Sequence, residues 1–110
     1  MEISPTQLKE RLDAGDKLVL LDVRDTHELR IATLDEVIKP IHIPKGELKD
    51  RICEIEPFKN DIDIVVFCRT GKRSVECSQM LREAGFTRII NLTGGLHAWS
   101  DDVDCSVMKY

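Results

Sequence analysis

Ile64-Val65-Val66-Phe67-Cys68-Arg69-Thr70-Gly71-Lys72-Arg73-Ser74 is an apolar run that ends on a cysteine and passes into a loop with three cations and one glycine. Beyond Ser74, the residues Cys77, Met80, Leu81 and Ala84 recur at helical spacing. The pattern predicts a buried strand over residues 62–67, a short loop, and a helix following Ser74. Cys68 then sits at the carboxyl end of the strand, where the loop curls into a helix N-terminus. Such an end leaves backbone N–H groups unpaired and carries partial positive charge, which favours an anion. Arg69, Lys72 and Arg73 add formal charge at the same place. Helix N-termini and nearby cations favour the thiolate form of a cysteine, the form that acts as nucleophile. Gly71 suits a backbone that must bend sharply or approach a small ligand closely. A cysteine closing an apolar run is commonly a core residue, but the polar, glycine-containing turn that follows points to a reactive one.

Working outward from this stretch, apolar runs alternate with helical patterns along the chain. Ser4-Pro5-Thr6-Gln7 is a helix start, with Ser4 as cap, Pro5 first in the helix and Gln7 as reciprocal partner. Ile3 and Leu8 occupy hydrophobic-staple positions, and Gly15 marks the stop. Lys17-Leu18-Val19-Leu20-Leu21-Asp22-Val23 reads as a strand covered on both faces. Asp22 and Arg24 follow at its carboxyl end, suited to tying loops together by buried hydrogen bonds, before a short helical stretch around Glu28. Val37-Ile38 and Ile41-His42-Ile43 bracket Pro40, which predicts one bent strand or two short pieces near a sheet edge, with His42 a strand-end residue. Pro44 opens a helix whose stripe is Leu48, Ile52 and Ile55, closed by Pro57, with Cys53 off the stripe. Cys77 belongs to the core, and Gly85 ends its helix. A strand over residues 88–92 leads through Gly94-Gly95, a tight turn beside the loop, into a helix with Leu96 and Trp99. Residues 101–110 read as a tail containing Cys105. This alternation predicts a single α/β domain over residues 1–110, an open and mainly parallel sheet with helices on both faces.

Composition narrows the function. With 110 residues, a net charge of −4 and 33% charged residues, the chain is one acidic domain, so a nucleic-acid surface is not expected and the cluster at 69–73 stands out as a local anion site. The chain has no apolar run of membrane-spanning length, and its polar start is not a signal peptide. Cys53, Cys68, Cys77 and Cys105 form no CxxC pair, and His27, His42 and His97 no i, i+4 pair. No metal site is therefore expected, and reduced thiols fit a cytoplasmic protein.

Taken together, Leu21-Asp22-Val23-Arg24 with Glu28, Ile41-His42-Ile43-Pro44, the loop from Cys68 through Arg73 with Ser74, and Gly94-Gly95 followed by Trp99 resemble the single-domain rhodanese family over nearly the full chain. That resemblance implies a five-stranded sheet and a six-residue loop whose cysteine accepts a sulfane sulfur and becomes a persulfide. Carried over, Cys68 is nucleophile and sulfur carrier, while Arg69, Thr70, Gly71, Lys72, Arg73 and Ser74 cradle the anion. No cofactor is implied beyond the covalent persulfide. The basic loop resembles thiosulfate-using members, so the expected donor is thiosulfate or a persulfide, and the acceptor cyanide, a small thiol or a protein. The stretch from Gly94 to Tyr110 also resembles the rhodanese domain fused to ThiF/MoeB-type adenylyltransferases, which pass sulfur to ubiquitin-like carriers for molybdopterin, thiamine or tRNA thiolation. The chain departs from the family at Ala32-Thr33-Leu34-Asp35-Glu36, where a Gly-His-Ile-Pro-Gly-Ala segment is common. Related cysteine phosphatases need one more residue between cysteine and arginine than separates Cys68 from Arg73. A non-catalytic binding or redox-sensing module is the competing reading, and a donor-dependent persulfide separates it from the enzyme.

Overall fold

The computed structural model describes residues 1–34 and 38–110. Five strands form one sheet in the order β1-β5-β4-β2-β3, with every pairing parallel. They are β1 (Glu2–Ile3), β2 (Leu18–Asp22), β3 (Ile41–His42), β4 (Asp63–Phe67) and β5 (Ile89–Leu92). Three α-helices, α1 (Pro5–Asp13), α2 (Leu48–Arg51) and α3 (Lys72–Glu83), join them with several 3-10 turns, and α4 (Gly95–Asp102) follows the last strand. Parallel strands need crossovers, and the helices that supply them cover both faces.

The continuous apolar runs are divided between two cores by the two-residue period of a strand. Leu18 and Leu20 of β2, Val65 and Phe67 of β4 and Ile90 and Leu92 of β5 pack with Leu8 of α1 and with Leu96 and Trp99 of α4. Leu21, Val23, Ile64, Val66 and Cys68 face the other way, against Leu48, Cys77 and Leu81. Cys68 is thus the last residue of an alternating series and is delivered to the α3 side.

The first helix starts as its sequence dictates. Gln7 N–H donates to Ser4 Oγ at 3.1 Å, and Ser4 N–H donates to Gln7 Oε1 at 3.0 Å. Ile3 and Leu8 are both buried in one core. Gly15 and Gly85 follow the ends of α1 and α3 with φ of +79° and +96°, where a left-handed residue closes a helix.

Several expectations are corrected. The segment after Pro44 is not one helix but a 3-10 turn (Lys45–Glu47), the single turn α2 and two further 3-10 turns (Ile52–Glu54, Glu56–Phe58). Leu48 and Ile55 are nevertheless buried, so the apolar stripe survives although the hydrogen-bond ladder does not. The α3 helix begins at Lys72, ahead of Ser74, and its buried face is Ser74, Cys77, Ser78 and Leu81, with Ala84 exposed. Phe86 closes the core beyond the helix end. Around Pro40 the strand is only Ile41–His42, at the sheet edge; Ile38 is in no strand, and Val37 lies outside the described residues, as do Asp35 and Glu36 of the divergent segment. Residues 101–110 are not a detached tail: α4 runs to Asp102, and Val103, Val107 and Tyr110 pack against the core. Cys53 and Cys105 are exposed thiols. No helix among the described residues is long and apolar enough to cross a membrane.

The strand order itself locates the site. From β2 the chain moves outward to β3 on one side, and from β4 outward to β5 on the other. The carboxyl ends of β2 and β4 therefore flank the point where the winding reverses, where open α/β sheets bind ligands. Asp22 ends one of these strands and Cys68 follows the other.

Candidate active site

Cys68 lies at the floor of a loop that ends in the first turn of α3. It is 1% exposed, and its sulfur accepts the Gly71 N–H at 3.1 Å. The thiol donates toward Ser74 Oγ at 3.5 Å, and that hydroxyl donates to Gly71 O at 3.1 Å. Ser74 is buried on α3 for this reason: it ties the sulfur to the loop backbone. Gly71 has φ +102°, a conformation open to glycine, and its Cα side lies against Gly94, where an added Cβ would sit 3.4 Å from Gly94 N.

The outer side of the loop is held by α4. Leu96 N–H donates to Cys68 O, and His97 N–H donates to Arg69 O, each at 3.0 Å. These belong to the first-turn amides that a helix leaves without internal partners. By taking the loop carbonyls they fix the loop against the sheet. Gly95 is required by this close approach, since a Cβ there would lie 2.3 Å from Cys68 O and 2.7 Å from Arg69 O. The Gly94-Gly95 turn is therefore beside the loop as expected, and its helix grips the loop.

The three loop cations have different fates. Arg73 is not free: its guanidinium donates to both oxygens of Glu28, at 2.6 and 2.8 Å. Arg69 is exposed, with its guanidinium 5.6 Å from the Tyr110 ring centre. Lys72 is exposed and forms no ion pair among the described residues, and Thr70 is exposed at the loop tip. Glu28 also accepts from Asp25 N–H and from the Tyr110 hydroxyl, each at 2.8 Å. The Arg73 hydrogen bonds prevail over burial and hold the Glu28 carboxyl down to about 2, well below the usual range.

Behind this lies a buried ion pair. Arg24 is fully buried and donates to Asp22 through Nε at 3.0 Å and Nη2 at 2.8 Å, while Arg24 N–H also donates to Asp22 Oδ1 at 3.0 Å. Burial alone would lower the Arg24 pKa, but the bonds from Asp22 and Tyr110 leave it raised. Arg24 Nη1 donates to the Tyr110 hydroxyl at 2.8 Å, and its backbone oxygen lies 2.7 Å from His42 Nε2. Asp22 and Arg24 thus stand behind the loop as structural ties. Cys77 is fully buried, and burial pushes its thiol up to about 11.

Among the described residues, Asp25, His27 and Glu28 cluster with ligand atoms within 4.8 Å. Both Glu28 oxygens are already taken by Arg73, Tyr110 and the Asp25 amide, which leaves a metal ion little to bind. Glu28 and Tyr110 are the site residues that the sequence reading gave no part. Glu28 was visible as a landmark, but its partner lies 45 positions away. Tyr110 carried no local signal.

A cysteine on the floor of a six-residue loop, at the switch point of an all-parallel five-stranded sheet, has counterparts among known proteins. The family model for the rhodanese-like domain matches residues 4–102. A probable adenylyltransferase/sulfurtransferase MoeZ of Mycobacterium tuberculosis is 34% identical over 98% of this chain, which spans 26% of that protein. Several other curated relatives are likewise much longer, the chain covering half of them or less. A putative sulfurtransferase YtwF of Bacillus subtilis is 33% identical, the match covering 92% of this chain and 91% of that one. The crystal structure of a rhodanese-related protein from Thermoplasma volcanium superposes with a TM-score of 0.78 at 27% identity, covering 93% of this chain and 92% of that one. Loop, sheet order and sequence matches agree, and the chain belongs to the rhodanese-like domain family.

Proposed function

We propose that this chain is a sulfurtransferase that carries a sulfane sulfur as a persulfide on Cys68. The observation that carries the reading is the setting of the Cys68 sulfur: on the loop floor, with the Gly71 amide pointed at it from 3.1 Å, at the N-terminus of α3. A sulfur anion formed there meets a fixed N–H and the positive end of a twelve-residue helix.

The reaction has two displacements. The Cys68 thiolate attacks the outer sulfur of thiosulfate, the sulfur–sulfur bond of the donor breaks, and sulfite leaves with the bonding pair. An acceptor nucleophile such as cyanide or a thiolate then attacks the outer sulfur of the persulfide, and Cys68 is released as thiolate. Splitting the transfer in this way is covalent catalysis. Arg69 and Lys72, which form no ion pair among the described residues, supply charge for an anionic donor, whereas Arg73 serves the loop through Glu28. That engagement of Arg73, together with the short spacing from Cys68, speaks against a phosphate cradle closed by arginine.

MoeZ is named for both adenylyltransferase and sulfurtransferase activity, and YrkF of Bacillus subtilis as a putative sulfur carrier protein. These relatives support a protein-borne sulfur acceptor, including the carrier systems served by adenylyltransferases, with thiosulfate or another persulfide as donor. Steady-state thiocyanate formation from thiosulfate and cyanide tests the reading. Wild type should turn over and Cys68→Ser should not; equal activity in the two would refute it, and the absence of sulfur uptake from any donor would favour a binding module.

A further inference from the structure

We infer that Tyr110 is a positioning residue for donor capture, holding Arg69 beside the loop mouth with its ring and bracing Arg73 from behind with its hydroxyl. The inference rests on the sulfurtransferase reading and adds to it the group that sets how an anionic donor is received.

The Tyr110 side chain touches the start of the loop directly, at Arg69, and reaches its far end through Glu28, the partner of Arg73. Its ring lies 5.6 Å from the Arg69 guanidinium carbon, directly after Cys68 in the chain. Its hydroxyl donates to Glu28 Oε1 at 2.8 Å, and Glu28 in turn holds Arg73 at the far end of the loop. The same hydroxyl accepts from the buried Arg24 at 2.8 Å, so its donor and acceptor capacities are both used. The His97 ring meets the Tyr110 ring edge-on, with centroids 6.1 Å apart and planes at 80°. Three contacts thus fix the ring before any donor arrives.

The choice of an aromatic partner has an electrostatic consequence. Arg24 is compensated by Asp22 and Arg73 by Glu28. A carboxylate under Arg69 would fix the guanidinium equally well but would cancel its charge. The ring face holds it through the quadrupole, beside the hydrogen bond to the Tyr110 backbone oxygen, and adds no ion pair that would cancel the charge. Arg69 is long and exposed, and its Nη1 also donates to the Tyr110 backbone oxygen at 3.1 Å, so holding it in place removes part of the side-chain entropy that binding a dianion would lose.

The test is steady-state transfer from thiosulfate to cyanide by wild type, Tyr110→Phe, Tyr110→Leu, Arg69→Gln and the Arg69→Gln/Tyr110→Leu double variant, each first checked for cooperative melting. Tyr110→Leu should show a KM for thiosulfate about two- to fivefold above that of Tyr110→Phe, the factor expected for loss of an exposed cation–ring contact. The gap should narrow with methanethiosulfonate, a donor carrying a single negative charge. Arg69→Gln should raise the thiosulfate KM, and adding Tyr110→Leu to it should raise it by no more than Tyr110→Phe raises that of wild type, because only the hydroxyl's contribution is left to lose once the ring contact has gone. Equal KM values for Phe and Leu, or multiplying effects in the double variant, would overturn the assignment. Should Tyr110→Leu not fold, Arg69→Gln decides in the Tyr110→Phe background, where it must raise KM as it does in wild type; no rise overturns the assignment. An inert wild type would instead overturn the sulfurtransferase reading, and this inference with it.

Discussion

Glu28→Gln tests the electrostatic support of the loop. The substitution keeps the shape but removes the charge that faces Arg73, and puts an amide N–H where an oxygen accepts from Arg73, Tyr110 or the Asp25 amide. Removing one partner of a buried ion pair costs about 3–5 kcal/mol. Arg73 is 29% exposed and regains some water, which brings the expectation to about 2–3 kcal/mol. Linkage gives a similar figure. A carboxyl lowered from 4.5 to about 2 contributes about 3 kcal/mol at neutral pH. Because the folded pKa lies below the unfolded one, this stability is fully present above the unfolded value and is lost as pH falls toward the folded value. Urea unfolding of wild type and variant at pH 7 and at pH 3 is the assay. The stability difference should be about 2–3 kcal/mol at pH 7 and less than half of that at pH 3. A difference that stays constant across this interval, or falls below about 0.5 kcal/mol at pH 7, would refute the claim that the Glu28 charge anchors the loop.

Gly95→Ala would place a Cβ 2.3 Å from Cys68 O at a φ of +58°. It should cost about 3 kcal/mol or more and abolish sulfur transfer, whereas Gly15→Ala, at φ +79° but with nothing within 4 Å, should cost only about 1 kcal/mol, both read by thermal melting. Cys77, buried and with its thiol pushed up to about 11, should resist iodoacetamide at pH 8 in the native protein while the exposed Cys53 and Cys105 are alkylated. Peptide mapping showing Cys77 modified as fast as Cys53 would contradict its place in the core.

What the sequence made legible was local. Ser4, Pro5 and Gln7 define a helix start within four residues, and the run from Ile64 to Cys68 announces a strand, its two-sided burial and its functional end. Parallel strands covered on both faces leave such continuous apolar runs. The β1 strand left no trace because Glu2 and Ile3 are too few to show a period, and they pair with Asn91 and Leu92 far along the chain. Around Leu48 the apolar spacing indicates which residues face inward, but it does not distinguish a continuous helix from successive 3-10 turns. The α3 face misled for a chemical reason: Ser74 is buried because the Cys68 sulfur and the Gly71 carbonyl pair with it, and a polar residue gives no apolar signal. The loop was legible as chemistry, but its support was not. Glu28, Arg73 and Tyr110 meet over separations of 45 and 82 residues, and only the folded chain brings them together.

The measurement that bears most directly on the central claim is the intact mass of the reduced protein before and after thiosulfate, for wild type and Cys68→Ser. A gain of one sulfur, about 32 Da, that is removed by cyanide and absent from the variant is the predicted result. Sulfur retained by Cys68→Ser, or no gain in wild type from either thiosulfate or a persulfide-loaded protein donor, would contradict it.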